Sequence, residues 1–149
     1  MESGLKIRYL WHDVDVMELE VSASGEKFSA FARPYVSHDA LKESAAILEG
    51  FPQVSSDVRE LFFGNFGDEF AGGHVHLSFF CVNSSCHAVM EIRLVDKSGW
   101  HIGPGWSRPT QQAHFFLAIE AAAIDEFVKE LRQVGRDLTG TAWLCGSSV

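Results

Sequence analysis

His74-Val75-His76-Leu77-Ser78-Phe79-Phe80-Cys81-Val82, then Asn83-Ser84-Ser85, then Cys86-His87-Ala88-Val89-Met90-Glu91-Ile92-Arg93-Leu94, is the stretch on which the fold turns. Two runs rich in β-branched and aromatic residues flank a short polar segment, the pattern of a β-hairpin. With the turn at Asn83-Ser84, one face pairs Val75 with Ile92, Leu77 with Met90, Phe79 with Ala88 and Cys81 with Cys86. The opposite face pairs His74 with Arg93, His76 with Glu91, Ser78 with Val89 and Phe80 with His87. A slip of one residue would send every apolar side chain to the other face, so the pattern specifies the faces strongly.

Outward from the hairpin, Gln112 to Glu120 alternates in the same way, with Ala113, Phe115, Leu117 and Ile119 inward. A helix over 121–135 follows, its stripe formed by Ile124, Phe127, Val128, Leu131 and Val134. Thr141 to Cys145 reads as a short extra strand. On the N-terminal side, Leu5, Ile7, Tyr9 and Trp11, then Met17, Leu19 and Val21, then Phe28, Ala30 and Ala32, give three strands at period two. Leu41, Ala45 and Leu48 form a helical stripe that Ser37 is placed to cap and Gly50 and Pro52 to end. Residues from Ser56 through Phe63 suggest a short second helix, and Gly64 to Gly73 a loop whose Phe66 and Phe70 pin it over the core or, alternatively, form a contact surface. The expected fold is a single α+β domain over 1–149. It has an antiparallel sheet of about six strands in the order β-β-β-α, loop, β-β-β-α, with helices packed on one face.

Composition bounds the function classes. The chain has 149 residues, 46% hydrophobic and 12% aromatic, enough for one well-filled core and too apolar for a disordered chain. Lys and Arg number 12 against 20 Asp and Glu, a net of −8. That leaves no basic surplus to neutralise phosphates, so nucleic acid is not an expected ligand; the plainer reading of the acidic balance is solubility, and the other is long-range attraction of a basic protein partner. No apolar run is long enough for a membrane span, the N-terminus lacks a secretory pattern, and an odd cysteine count of 3 argues against a disulfide framework. These point to a cytoplasmic protein in which Cys81 and Cys86, opposed across the hairpin, act as small apolar core residues, with a cross-strand disulfide as the alternative.

Two constellations bear on chemistry. His74 and His76 project from one side of a strand, Glu91 lies across the hairpin, and His114 alternates onto the polar face of a later strand. Imidazoles with a carboxylate suit zinc and metal-assisted hydrolysis. The plainer reading is a solvated sheet face carrying a His76–Glu91 cross-strand pair. The other constellation is Trp100, His101, Trp106 and Arg108 within the loop 97–110, residue types that anchor interfaces. Against it stands the reading that both indoles fold onto the core. His12, Asp13 and Asp15 read as turn formers. Gly103 and Gly105 do not follow a strand and open a helix, so no nucleotide loop is expected.

Leu48-Glu49-Gly50-Phe51-Pro52 closing a helix, Phe79-Phe80-Cys81-Val82-Asn83 closing a strand with His87 opening the next, and Glu120 followed by Ile124, Asp125, Phe127 and Leu131 together resemble the WapI-type toxin-immunity family of small bacterial proteins. The resemblance spans roughly 26–134, and Cys86 stands where that family's pattern prefers glycine. It implies an antiparallel sheet with helices against it, no catalytic residues, and a role in blocking a toxin.

The sequence therefore leads to a non-enzymatic binding protein without a cofactor. Its expected partner is a basic protein such as a toxin, held by the 97–110 loop with acidic residues such as Glu18 and Glu20 around it. The alternatives are a metal-dependent hydrolase using His74, His76, Glu91 and His114, and a small-ligand carrier with a pocket between sheet and helices.

Overall fold

A computed structural model describes residues 2–64, 72–96 and 111–149. Their strands are β1 (Gly4–His12), β2 (Met17–Ser24), β3 (Ser29–Ala32), β4 (Tyr35–Val36), β5 (Val58–Phe63), β6 (Gly73–Cys81), β7 (Ala88–Asp96), β8 (Gln111–Ile119) and β9 (Thr141–Ser148). The helices are α1 (Ala40–Leu48), between β4 and β5, and α2 (Ala121–Asp137), between β8 and β9. The protein is thus α+β, with a larger sheet than expected: nine strands against about six, and the element order differs accordingly. Among the described residues, no helix is long and apolar enough to cross a membrane.

The sheet runs β3-β2-β1-β9-β8-β7-β6-β5, with β4 pairing β2 off that path. Each pairing is antiparallel. β9 is the joint: Thr141 to Cys145 pair with β1, and Gly146 to Ser148 with β8. The sheet also curls until β3 touches β6 and β7. Glycines permit this approach. A Cβ on Gly73 would stand 2.9 Å from that of Ala32, and one on Gly64, at φ +86°, would stand 3.0 Å from that of Pro34. α1 and α2 pack together, α2 lies on β9, and α1 reaches β5. One apolar cluster joins all of these, with Phe63, Phe79 and Phe127 among its largest fully buried side chains.

The stripe expected for α2 is buried at every position, as are Leu41, Ala45 and Leu48 of α1. The cap of α1 differs: Asp39 holds the N-cap position, and the Ala40 amide donates to the Ser37 carbonyl. The expected second helix is strand β5. Leu61 and Phe63 are buried while Glu60 and Phe62 face outward, a period of two. Phe62 on the outer side made the run look helical, because a short apolar stretch does not separate the two periods.

The hairpin of β6 and β7 keeps the expected faces but not the expected register. His76 pairs with Arg93 rather than Glu91, and Leu77 with Ile92 rather than Met90. The turn takes up Asn83 to Cys86, closed by the Cys86 amide on the Asn83 carbonyl, and Val82 meets His87. A shift by an even number of residues preserves the faces. Cys86 adopts the left-handed conformation, φ 49°, and forms a disulfide with Cys81 across a Cα–Cα distance of 4.6 Å. The pair is therefore covalently joined, the disulfide alternative in place of two reduced apolar residues.

Candidate binding face

The outer face of β5 to β8 is laid out in rows by the strand register. One row runs Phe62, His76, Arg93, His114. The next runs Glu60, Ser78, Glu91, Phe116. Alternation along each strand places these side chains opposite the core, and strand separation brings row neighbours into contact.

Two histidine–carboxylate pairs result. The Nε2 atom of His76 lies 3.2 Å from Oε1 of Glu60, and that of His114 lies 2.6 Å from Oε2 of Glu91. An ionised carboxylate only accepts, so in each pair Nε2 carries the proton and donates. Each imidazole also meets a phenylalanine. Phe62 stacks on His76 with centroids 4.5 Å apart and planes 5° from parallel, and Phe116 lies tilted against His114 at 5.4 Å. Phe62 is 55% exposed, Phe116 44% and Val58 57%, so three apolar side chains stand in solvent beside the two pairs. On the same face Val89 and Val95 are buried.

The four residues expected as metal ligands are placed as follows. His74 and His76 do share the outer face, and Glu91 and His114 share it too. His74 is buried, however, and His76 and His114 are engaged by different carboxylates. Arg93 stands between the two imidazoles in their row, where a guanidinium opposes a bound cation. Among the described residues, no group of three or more His, Cys, Asp or Glu side chains is close enough to hold a metal ion. The shifted β6–β7 register sets Arg93 opposite His76 in place of the expected Glu91, and the β5–β6 and β7–β8 pairings give His76–Glu60 and His114–Glu91 instead.

Trp100, His101, Trp106 and Arg108 lie outside the described residues; their segment connects the paired strand ends Asp96 and Gln111. Glu18 and Glu20, expected around a partner site, are already occupied. Glu18 accepts from the Trp11 indole at 3.0 Å, and Glu20 accepts from Arg8 and Arg33, each at 3.0 Å. Partial burial of Glu20 works to raise its pKa, yet those two guanidinium groups hold it below the usual carboxylate value. Asp13 is a turn former, accepting the Asp15 and Val16 amides at 2.8 and 2.9 Å.

Glu60, Phe62, Arg93 and Phe116 belong to the face and were not singled out in the sequence. For Glu60 and Phe62 the signal was present in the alternation with Leu61 and Phe63. Phe116 was legible from its neighbour, since it alternates with Phe115 and Leu117 on the same strand as His114. Comparison with family models, curated proteins and solved structures finds no match.

Proposed function

We propose that the protein is a non-enzymatic binding protein that engages a basic protein partner, as an immunity protein engages its toxin. The carrying observation is the outer face of β5 to β8, where Phe62, Phe116 and Val58 stand exposed around the Glu60–His76 and Glu91–His114 pairs. Aromatic anchors among satisfied polar groups are what binding surfaces use, because burial of the rings supplies affinity while the polar groups set register. The net charge of −8 favours a basic partner. Trp100 and Trp106 belong to the same proposal as further anchors at the β7–β8 connection.

The test is recovery of a partner from host lysate by tagged protein, with variants as the control. One basic protein recovered in equimolar amount by the native chain is the expected result. Phe116→Ala and Trp106→Ala each weaken its binding by more than about 1 kcal/mol while leaving the thermal midpoint in place. Equal capture by the native chain and both variants would remove this face and the loop from the account.

A second reading, a carrier for a small ligand, is supported by a groove between α1 and β5.

A further inference from the structure

β8 has one edge that is only partly paired. On its other edge it meets β7 over its whole length, from Gln111 to Ile119. Against β9 it pairs only at Leu117, Ala118 and Ile119, so its β9-side edge from Gln111 to Phe116 has no strand partner among the described residues. On such an edge alternate residues turn their N–H and C=O groups outward, and another extended strand pairs them in register. β3, at the end of the sheet path, pairs β2 on one edge and no described strand on the other. Two cavities, of about 430 and 800 Å³, lie between β3 and β8. The first is lined by Gly25 to Phe28 and by His114 to Leu117, the second by Ser29 to Arg33 and by Gln111 to Ala113. Both walls are continuous in sequence, so the two cavities succeed one another along the open edge of β8. A hydrogen bond of 2.9 Å from Ser148 to Glu26 ties the β2–β3 turn to the end of β9, where that edge begins.

The apolar layer beneath this edge is unfinished. Ala113, Phe115, Leu117 and Ile119 share the inner face of β8, by alternation along the strand. Leu117 and Ile119, where β9 pairs, are buried, whereas Ala113 and Phe115, where it does not, are only half-buried. Ala30 on β3 is half-buried as well. At the rim Phe28 and Phe31 are exposed, and His114 and Phe116 carry the groove into the binding face of β5 to β8. Burial stops where strand pairing stops, so the element that completes this layer is one with a pairing backbone and an apolar side chain at every second position.

We propose that the open edge of β8 takes an extended segment of the partner protein as an added strand, antiparallel to β8 and in line with β9. Its backbone pairs with Gln111 to Phe116. Its alternate apolar side chains face inward over Ala113 and Phe115, and its polar side chains stand outward beside His114. Backbone pairing supplies affinity and the alternation supplies selectivity. A second copy of this chain is a poorer occupant, because two chains each of net charge −8 repel, whereas basic residues on the outward side of a partner segment are attracted. This inference rests on the reading of the chain as a protein-binding protein and specifies how the partner is held.

The experiment is amide NMR on the full chain, free and titrated with the capped peptide acetyl-Lys-Val-Thr-Val-Lys-Val-Thr-amide. In the free protein, alternate amides from Gln111 to Phe116 are expected to exchange with solvent as fast as loop amides, while those between them are protected by β7. Protection of all of them would show the edge to be filled already and overturn the proposal. The peptide is expected to give saturable shifts confined to Gly25–Arg33 and Gln111–Leu117 and to slow the fast amides. The same peptide N-methylated at every residue binds at least roughly tenfold more weakly, since it cannot donate to the edge. Phe28→Ala and Phe31→Ala each weaken the native peptide at least about threefold, through lost apolar contact, and leave the thermal midpoint in place. Absence of saturable shifts, shifts elsewhere, or equal binding of the methylated peptide would overturn the proposal. A concentration-dependent dimer with protected edge amides would make a second copy the occupant and overturn the assignment to a partner. A captured partner that excess peptide does not displace removes this edge and leaves the binding reading standing. Peptide binding at the edge with no partner recovered supports the strand site and counts against the binding reading.

Discussion

Arg59 closes the end of a helix that it does not belong to. The last carbonyls of a helix lack partners within it. The Arg59 guanidinium donates to the carbonyls of Ile47 and Glu49 at 2.6 and 3.2 Å, and makes two further bonds of 2.8 Å to the Asp57 carboxylate. It also lies over the Phe51 ring. Both side chains are largely shielded, at 20% and 13% exposure, so solvent screens the pair less than a surface ion pair. Arg59→Ala is expected to lower stability by about 2 kcal/mol in urea denaturation at neutral pH, the scale of a lost charged hydrogen bond. The hydrogen bond from Arg59, and then the Gln53 amide, hold the Asp57 carboxyl below its usual pKa. A depressed folded-state pKa means stability that is present above the unfolded pKa and lost as pH falls through the folded one. Asp57→Asn therefore flattens the decline in stability below about pH 4, where an unfolded Asp begins to protonate. An unchanged slope in acid denaturation would remove Asp57 from the account.

Elements meet at two places where a single atom decides the outcome. Where α1 crosses α2, a Cβ on Gly135 would lie 3.1 Å from the Cβ of Leu41. Alanine there gains about 0.5–1 kcal/mol of helix propensity against modest crowding, so Gly135→Ala is expected to be near neutral. Gly135→Val has no such offset and is expected to cost about 1–3 kcal/mol by overpacking, read as a shift in the urea midpoint. The second place is the β6–β7 turn. Thiol titration of denatured, unreduced protein is expected to find only Cys145 free, and all 3 cysteines after reduction. More than one free thiol before reduction would rule out the Cys81–Cys86 bond. The hairpin also shows how far local pattern reaches. Alternation places Leu77, Phe79, Met90 and Ile92 inward whatever the turn length, but the partner of each residue depends on how many residues the turn consumes. Four turn residues in place of two set Glu91 opposite Ser78 and no longer opposite His76, while the β7–β8 register places it beside His114.

In the whole molecule β9 is the last element and the one that joins the two halves of the sheet, pairing β1 with its first residues and β8 with its last. It also buries Ala142 and Leu144 completely. A chain ending at Gly140 would leave β1 and β8 with unpaired edges and open the core beneath α2. It is expected to lose cooperative thermal unfolding by circular dichroism, and a sharp transition in that truncation would show β9 to be dispensable. The contrast between halves separates what is local from what is not. Residue order alone determined the α+β class, the buried stripes of both helices, and the inner and outer faces of β2, β6 to β8 and β1 as far as Tyr9, because each rests on a periodicity within a few consecutive residues; Trp11, expected inward, lies past a register irregularity and is exposed. It also marked His76, Glu91 and His114 as outward. Tertiary structure decided that Val58–Phe63 is a strand, since only pairing with β6 selects between two conformations that the short run allows. It decided the order of nine strands around β9, and it decided that the histidines divide between Glu60 and Glu91 instead of converging. Those outcomes depend on contacts between residues far apart in the chain, whose loop closure and register no local pattern encodes.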